Sequence, residues 1–246
     1  MKYEVVEDSF IILADSIKSY FNNINNITLF QKRNTLKIIE YEKKKYVVKS
    51  FKIPHILNKI VYRFFRDSKA KRSYANSLRL IELGINTPNP IGYIEFNSIL
   101  FFKESFYISE FFDYNFEIRA VLKDKNFEDR ENILKKFIEF SYELHNKGVY
   151  HVDYSPGNIL IQKHDKGYVF SIIDVNRMKF VKFDDTLRMK SLMKLTNSKA
   201  DNKFMAEYYA KISGKDKYLL FDILQLHLKE QQKYLDNKKR LKSMKG

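Results

Sequence analysis

A chain of 246 residues with 45 Lys and Arg against 30 Asp and Glu carries a formal net charge of +15. Its apolar residues make up 44% and include 21 Phe and 17 Tyr, which excludes disorder throughout and suffices for one large domain or two small lobes. The lack of cysteine excludes a disulfide frame and a thiolate metal site.

The acidic start, Met1 to Asp8, has no apolar leader segment, and no run of eighteen apolar residues follows. The expectation is therefore a cytoplasmic protein with no membrane span. The positive charge favours an acidic partner: a nucleotide, an anionic lipid, a phosphorylated sugar or a nucleic acid. Lysine-rich usage alone would give the same sign, so charge does not choose among them.

Residues 1–26 carry one helical pattern, with Phe10, Leu13, Ile17 and Phe21 at spacings of three and four. Three β-rich runs follow, Ile27–Phe30, Thr35–Tyr41 and Tyr46–Phe51, the last two joined by the polar turn 42–45. Lys49 lies inside the third. A lysine in an apolar strand is what kinases use to pair with nucleotide phosphates, though an edge lysine facing water has the same local pattern. No glycine precedes Gly84, so a glycine-rich phosphate-covering loop is missing; Gln31–Thr35 stands in its place, with Lys32, Arg33 or Asn34 as side-chain contacts to phosphate.

Residues 56–83 read as one helix with a basic face (Lys59, Arg63, Arg66, Lys69, Lys71, Arg72) and an apolar stripe of Leu78, Leu80, Ile81 and Leu83. Gly84 and Thr87-Pro-Asn-Pro90 end it. A hairpin is predicted from Ile91–Phe96 and Ile99–Lys103 around Asn97-Ser98, then a further strand over Ser105–Phe112. In a two-lobed kinase that last strand leads into the hinge, and Glu110, Phe111 and Phe112 are the candidates for binding adenine. Asn126 is placed to cap the next helix, whose buried stripe is Leu134, Phe137, Ile138, Ser141 and Leu144, with Gly148 at its end.

That helix leads into His151-Val-Asp-Tyr-Ser-Pro-Gly-Asn-Ile-Leu160, the segment richest in chemistry. His151, Asp153 and Asn158 have the H-x-D-x-x-x-x-N spacing of a kinase catalytic loop, in which the Asp takes the proton of the acceptor hydroxyl and the Asn holds magnesium. A hairpin, Ile159–Ile161 with Tyr168–Ile173, then delivers a second carboxylate, Asp174, as a further metal ligand. Pro156-Gly157-Asn158 alone would make a good turn, but a turn does not call for Asp174. Residues 186–235 are helical in pattern, and residues 229–245, with seven basic side chains, read as a frayed helix or solvated tail able to rest on anionic lipid.

With Lys49, Glu110, Asp153, Asn158 and Asp174 in this order, the chain resembles the kinase-like superfamily, and within it the bacterial lipopolysaccharide core (Kdo/heptose) kinases. Ser68–Tyr74, Leu83–Pro90, Ser105–Glu110, His151–Leu160 and Ile173–Met178 carry the likeness, over roughly residues 27–180. It implies an α+β, bilobal protein-kinase-like fold: an N-terminal nucleotide-binding lobe (1–110) of antiparallel sheet with a helix, and a mainly helical C-terminal catalytic and acceptor lobe (111–246). It implies ATP- and magnesium-dependent phosphorylation of a sugar hydroxyl of the lipopolysaccharide inner core, beside the inner membrane. Asp153 would be the base, Asn158 and Asp174 the metal ligands, and Lys49 the contact to the α- and β-phosphates. Val152 replaces the Arg of His-Arg-Asp, Val175-Asn176 replaces Phe-Gly, and Ser73 stands where the glutamate partner of the strand lysine is expected. A compact protein kinase and a non-catalytic pseudokinase scaffold share these residues and remain alternatives; nucleic-acid binding rests on charge alone.

Overall fold

The computed structural model describes residues 1–31, 34–51, 67–97 and 102–243. The chain divides into two compact units, Met1–Asp113 with Ser171–Arg177, and Tyr114–Phe170 with Met178–Gly246. Lys32, Arg33, Lys59, Arg63, Arg66 and residues 98–101 of the expected hairpin lie outside the described residues.

The first unit is an antiparallel sheet covered on both faces. Its strands are β1 (Lys2–Val5), β2 (Ile27–Gln31), β3 (Asn34–Tyr41), β4 (Lys44–Phe51), β5 (Pro90–Asn97) and β6 (Phe102–Glu110), in the order β1-β5-β6-β4-β3-β2. Helices α1 (Ile11–Asp15) and α2 (Ile17–Asn22) lay Leu13, Ala14, Ile17 and Phe21 on one face, against Ile39, Tyr46, Val48, Ile94 and Ile108. Helix α3 (Lys69–Glu82) covers the other through Ala70 and Tyr74, which meet Phe51 and Tyr93. Because side chains alternate along a strand, Tyr46 and Val48 face α1 and α2, whereas Lys49 and Phe51 face α3. Lys49 is 9% exposed, opposite Tyr107 of β6, so it is not an edge lysine facing water.

Several expected elements take a different form here. The N-terminal helical pattern begins only after β1, which pairs with β5, and it breaks at Ser16 into two short helices. Residues 98–101 lie outside the described residues, and from Phe102 to Glu110 the chain runs as one strand, β6, with no break between the two expected strands. In the 42–45 turn Glu42 and Lys43 both take positive φ (49° and 62°), the geometry of a two-residue hairpin loop that matches strand twist. The buried face of α3 is Ala70, Ser73, Tyr74, Ser77 and Leu80, while Ile81 is 43% exposed. Small residues let the helix lie close to the sheet, so its face follows Ala and Ser rather than the larger aliphatics. Ser68 caps it by accepting from the Lys71 amide (3.0 Å), and Gly84, at φ 67°, ends it in the left-handed region.

The second unit is mainly helical. After β7 (Phe116–Glu117) come α4 (Ile118–Lys123) and α5 (Arg130–Asn146). Asp129 rather than Asn126 precedes the first turn of α5. The expected stripe of Leu134, Phe137, Ile138, Ser141 and Leu144 is buried, and truncating Phe137 to Ala would cost about 3–5 kcal/mol. Strand β8 (Val149–His151) pairs with β11 (Met178–Phe180), which flank β9 (Ile159–His164) and β10 (Gly167–Ile172) in the chain. The C-terminal helical region is three helices, α6 (Asp185–Leu192), α7 (Lys199–Ser213) and α8 (Lys217–Ser243). The basic segment thus runs in a continuous 27-residue helix as far as Ser243, and residues 244–246 lie outside the described residues. Among the described residues no helix is long and apolar enough to cross a membrane.

Candidate active site

The candidate residues fall into two groups. Lys49, Glu110, Phe111, Phe112 and Asp174 belong to the first unit, and Asp153 and Asn158 to the second. Arg33 lies outside the described residues.

In the first unit the ammonium of Lys49 donates to Oδ1 of Asp174, forming an ion pair across 125 residues of sequence. Asp174 has φ 59°, a left-handed conformation that costs a non-glycine residue on the order of 1–3 kcal/mol unless its neighbours hold it. They do. Asn176 Nδ2 also donates to Asp174 Oδ1 (2.7 Å), and Asn76 of α3 donates to the Val175 carbonyl (2.7 Å). Before the turn, the Ile172 amide donates to the Asn86 carbonyl (3.0 Å) and Thr87 Oγ1 donates to the Ile172 carbonyl (2.8 Å). Ser73, which stands where a lysine-pairing glutamate was expected, donates instead to the Lys69 carbonyl of its own helix. Lys49 is thus oriented by the candidate metal ligand rather than by a helix acid.

The same Thr-Pro-Asn-Pro loop reaches the candidate hinge. Asn89 Nδ2 donates to Glu110 Oε2 (2.7 Å), and the Glu110 amide donates to the Asn89 carbonyl (2.9 Å). The Phe111 amide donates to the Lys45 carbonyl (3.0 Å). Two of the three candidate hinge amides therefore serve the fold.

In the second unit the loop after β8 is wound around its own backbone. His151 Nδ1 accepts from the Asp153 amide (3.1 Å), which places the ring proton on Nε2. The Asp153 carbonyl accepts from the Ser155 amide (2.7 Å) and from Asn158 Nδ2 (2.9 Å), and the Asn158 amide donates to the Ser155 carbonyl (2.9 Å). Between them Tyr154, 2% exposed, donates its hydroxyl to Ser141 of α5 (2.8 Å), whose own hydroxyl is given to the Phe137 carbonyl. Burial raises the Tyr154 phenol well above its ordinary value, so it remains a donor.

Asp153 thus shapes the loop with its backbone, while its carboxylate is 48% exposed. Asn158 uses its amide nitrogen on the loop, which leaves Oδ1 as the atom suited to a cation. Lys194, which sequence reading missed, donates to the Val152 carbonyl (2.8 Å) with its Nζ 3.8 Å from Asp153 Oδ1. It lies beyond α6 among many other lysines, with no motif to mark it. Asn76 was likewise unmarked, whereas Asn176, two residues after Asp174, has a spacing that could have signalled a side-chain bond back to it.

Among the described residues no group of three or more His, Asp or Glu is placed to hold a metal. A hard cation at Asn158 or Asp174 would thus take most of its oxygen ligands from phosphate and water, as magnesium commonly does.

The sequence profile of the lipopolysaccharide kinase (Kdo/WaaP) family matches residues 23–216. Among curated proteins none matches the chain. A solved structure of WaaP in complex with acyl carrier protein superposes with a TM-score of 0.66 at 14% identity, covering 95% of this chain and 99% of that one, which is a likeness of fold.

Proposed function

This chain belongs to the lipopolysaccharide kinase (Kdo/WaaP) family, whose members are phosphotransferases acting on a sugar hydroxyl, and from that premise we propose how it works. It transfers the γ-phosphoryl group of ATP to a hydroxyl of a Kdo or heptose residue of the inner core. Asp153 accepts the hydroxyl proton as the sugar oxygen bonds to phosphorus, and the bond to the bridging oxygen breaks to release ADP. Lys49 contacts the α- and β-phosphates, with Arg33 a further phosphate contact. Asn158 Oδ1 and the Asp174 carboxylate would each serve as a ligand to magnesium, which would supply charge neutralisation on the phosphates. Glu110, Phe111 and Phe112 bind adenine, and with the first two amides already engaged the Phe112 amide is the donor to its edge. Residues 1–110 act as the nucleotide-binding lobe and residues 111–246 as the catalytic and acceptor lobe.

The observation that carries this reading is the division of labour at Asp153, whose carbonyl holds Asn158 while its carboxylate is half-exposed, with only the loose contact to Lys194 at 3.8 Å among the described residues. A structural aspartate would spend its carboxylate on the fold. The glycolipid acceptor is membrane-anchored, so we place the protein in the cytoplasm, in peripheral contact with the inner membrane, with the basic end of α8 against anionic headgroups. The test is incubation of purified inner core with ATP and magnesium followed by mass spectrometry. Gain of one phosphate on a core sugar is expected, and phosphate on protein acceptors only would replace this reading with a protein kinase.

A further inference from the structure

A cavity of about 790 Å³ opens within the second unit, beside the catalytic loop. Its walls come from α4, from the segment joining α6 to α7, from the first turn of α7 and from one face of α8, with Pro156 contributed by the loop itself. Four lining side chains are cationic: Arg119, Lys123, Lys194 and Lys199. Among the described residues that line it, none is Asp or Glu. Arg119 leans on Glu117 at 3.4 Å and Lys194 on Asp153 at 3.8 Å; among the described residues neither Lys123 nor Lys199 has an ion-pair partner.

The remaining lining is of two kinds. Leu122, Leu195, Leu228 and Leu235 give an apolar surface, while Gln225 and Gln231 offer both donors and acceptors. Asn202 also lines the cavity, is 1% exposed, and its Oδ1 has no hydrogen-bond partner among the described residues.

Two of the four cations touch the catalytic loop. Lys194 donates to the Val152 carbonyl. The Arg119 guanidinium lies over Gly157, so close that a Cβ there would sit 1.7 Å from Nη2. A side chain at position 157 would therefore push the Arg119 guanidinium off the loop.

We propose that this cavity holds an anionic group of the acceptor, a phosphate or carboxylate on the saccharide, separate from the hydroxyl that is phosphorylated. The inference rests on the sugar-kinase reading above and adds the acceptor's charge to it. Four cations without a lining acid bind an anion by charge-assisted hydrogen bonds, and Arg119 offers the planar fork that matches carboxylate or phosphate. The glutamines meet sugar hydroxyls. Because Arg119 and Lys194 also hold the loop, occupancy of the cavity positions Asp153 and Asn158, and a neutral glycan is rejected by the charges it leaves unpaired.

The test is calorimetric titration of the full chain, without nucleotide, using two probes: lipid-free inner-core oligosaccharide with its phosphates and carboxylates, and the same saccharide dephosphorylated with its carboxylates reduced to alcohols. The wild type should prefer the anionic probe by at least about tenfold. The double variant Lys123→Gln/Lys199→Gln, altering exposed side chains, should lose that preference while keeping its thermal midpoint. Gly157→Ala, which displaces Arg119, should weaken the anionic probe selectively. A preference unchanged in the double variant, or no preference in the wild type, overturns the proposal. If preference depends on these lysines yet no saccharide is phosphorylated, the cavity assignment stands and the sugar-kinase reading falls.

Discussion

Lys49 and Asp174 form an ion pair inside one unit, a lysine 9% exposed meeting an aspartate held at positive φ. The pair gives the lysine a defined direction without the helix glutamate, and it sets the carboxylate with the help of Asn176. Lys49→Met should therefore act twice, removing a phosphate contact and releasing Asp174. A fall in kcat/KM of about 10²–10³-fold, with a raised KM for ATP, is expected from steady-state kinetics.

Asn76 reaches Asp174's turn from α3 through the Val175 carbonyl. Asn76→Leu leaves that carbonyl without its donor, at about 1–3 kcal/mol. Thermal unfolding should shift down by about 2–4 °C per kcal/mol for a chain of this size. Activity should fall with it, since the displaced element carries Asp174. An unchanged midpoint would remove Asn76 from the account.

Asn158 gives Nδ2 to the Asp153 carbonyl, and in the proposed site its Oδ1 would meet the cation. Asn158→Ala loses both, and the magnesium concentration for half-maximal rate should rise by about 10–100-fold. Titrating magnesium at saturating ATP measures it. Asn158→Asp keeps an oxygen ligand but not the donor, so it should recover metal affinity more than rate.

His145 predicts a pH dependence of stability. Its Nδ1 accepts from the Tyr209 hydroxyl (2.8 Å), which itself accepts from Arg188 (2.7 Å), and its Nε2–H donates to Ser191 (2.6 Å), closing a network among α5, α6 and α7. Burial, with the nearby Arg188 charge, lowers its pKa to about 3. The unfolded chain takes up a proton near pH 6.5 that the folded chain refuses until about pH 3. Stability therefore falls as pH drops through that window, by about 1.4 kcal/mol per pH unit from this residue. Urea unfolding between pH 7 and 4 measures the slope, and His145→Gln should flatten it.

Much of the fold was legible where the pattern is local. The stripe of α5 and the strands β3 and β4 follow from periodicity, while spacing marks Asp153, Asn158 and Asp174 as candidates. What escaped depends on tertiary partners. β1 is exposed along most of its length and has no apolar alternation to announce it. α4, six residues long, is too short for a period, yet it carries Arg119 to the loop. The face of α3 was misread because close approach to a sheet selects Ala and Ser over Ile81. Lys194 became visible only once the chain was folded beside Val152.

The central claim is that Asp153 is the base for transfer to a sugar. Its most direct test is the rate of labelled γ-phosphate transfer from ATP with magnesium to purified inner core, for wild type beside Asp153→Asn. The variant keeps the backbone bonds that shape the loop, so it should fold and bind ATP normally while kcat falls by about 10²–10⁴-fold. Transfer by Asp153→Asn at the wild-type rate would contradict the account.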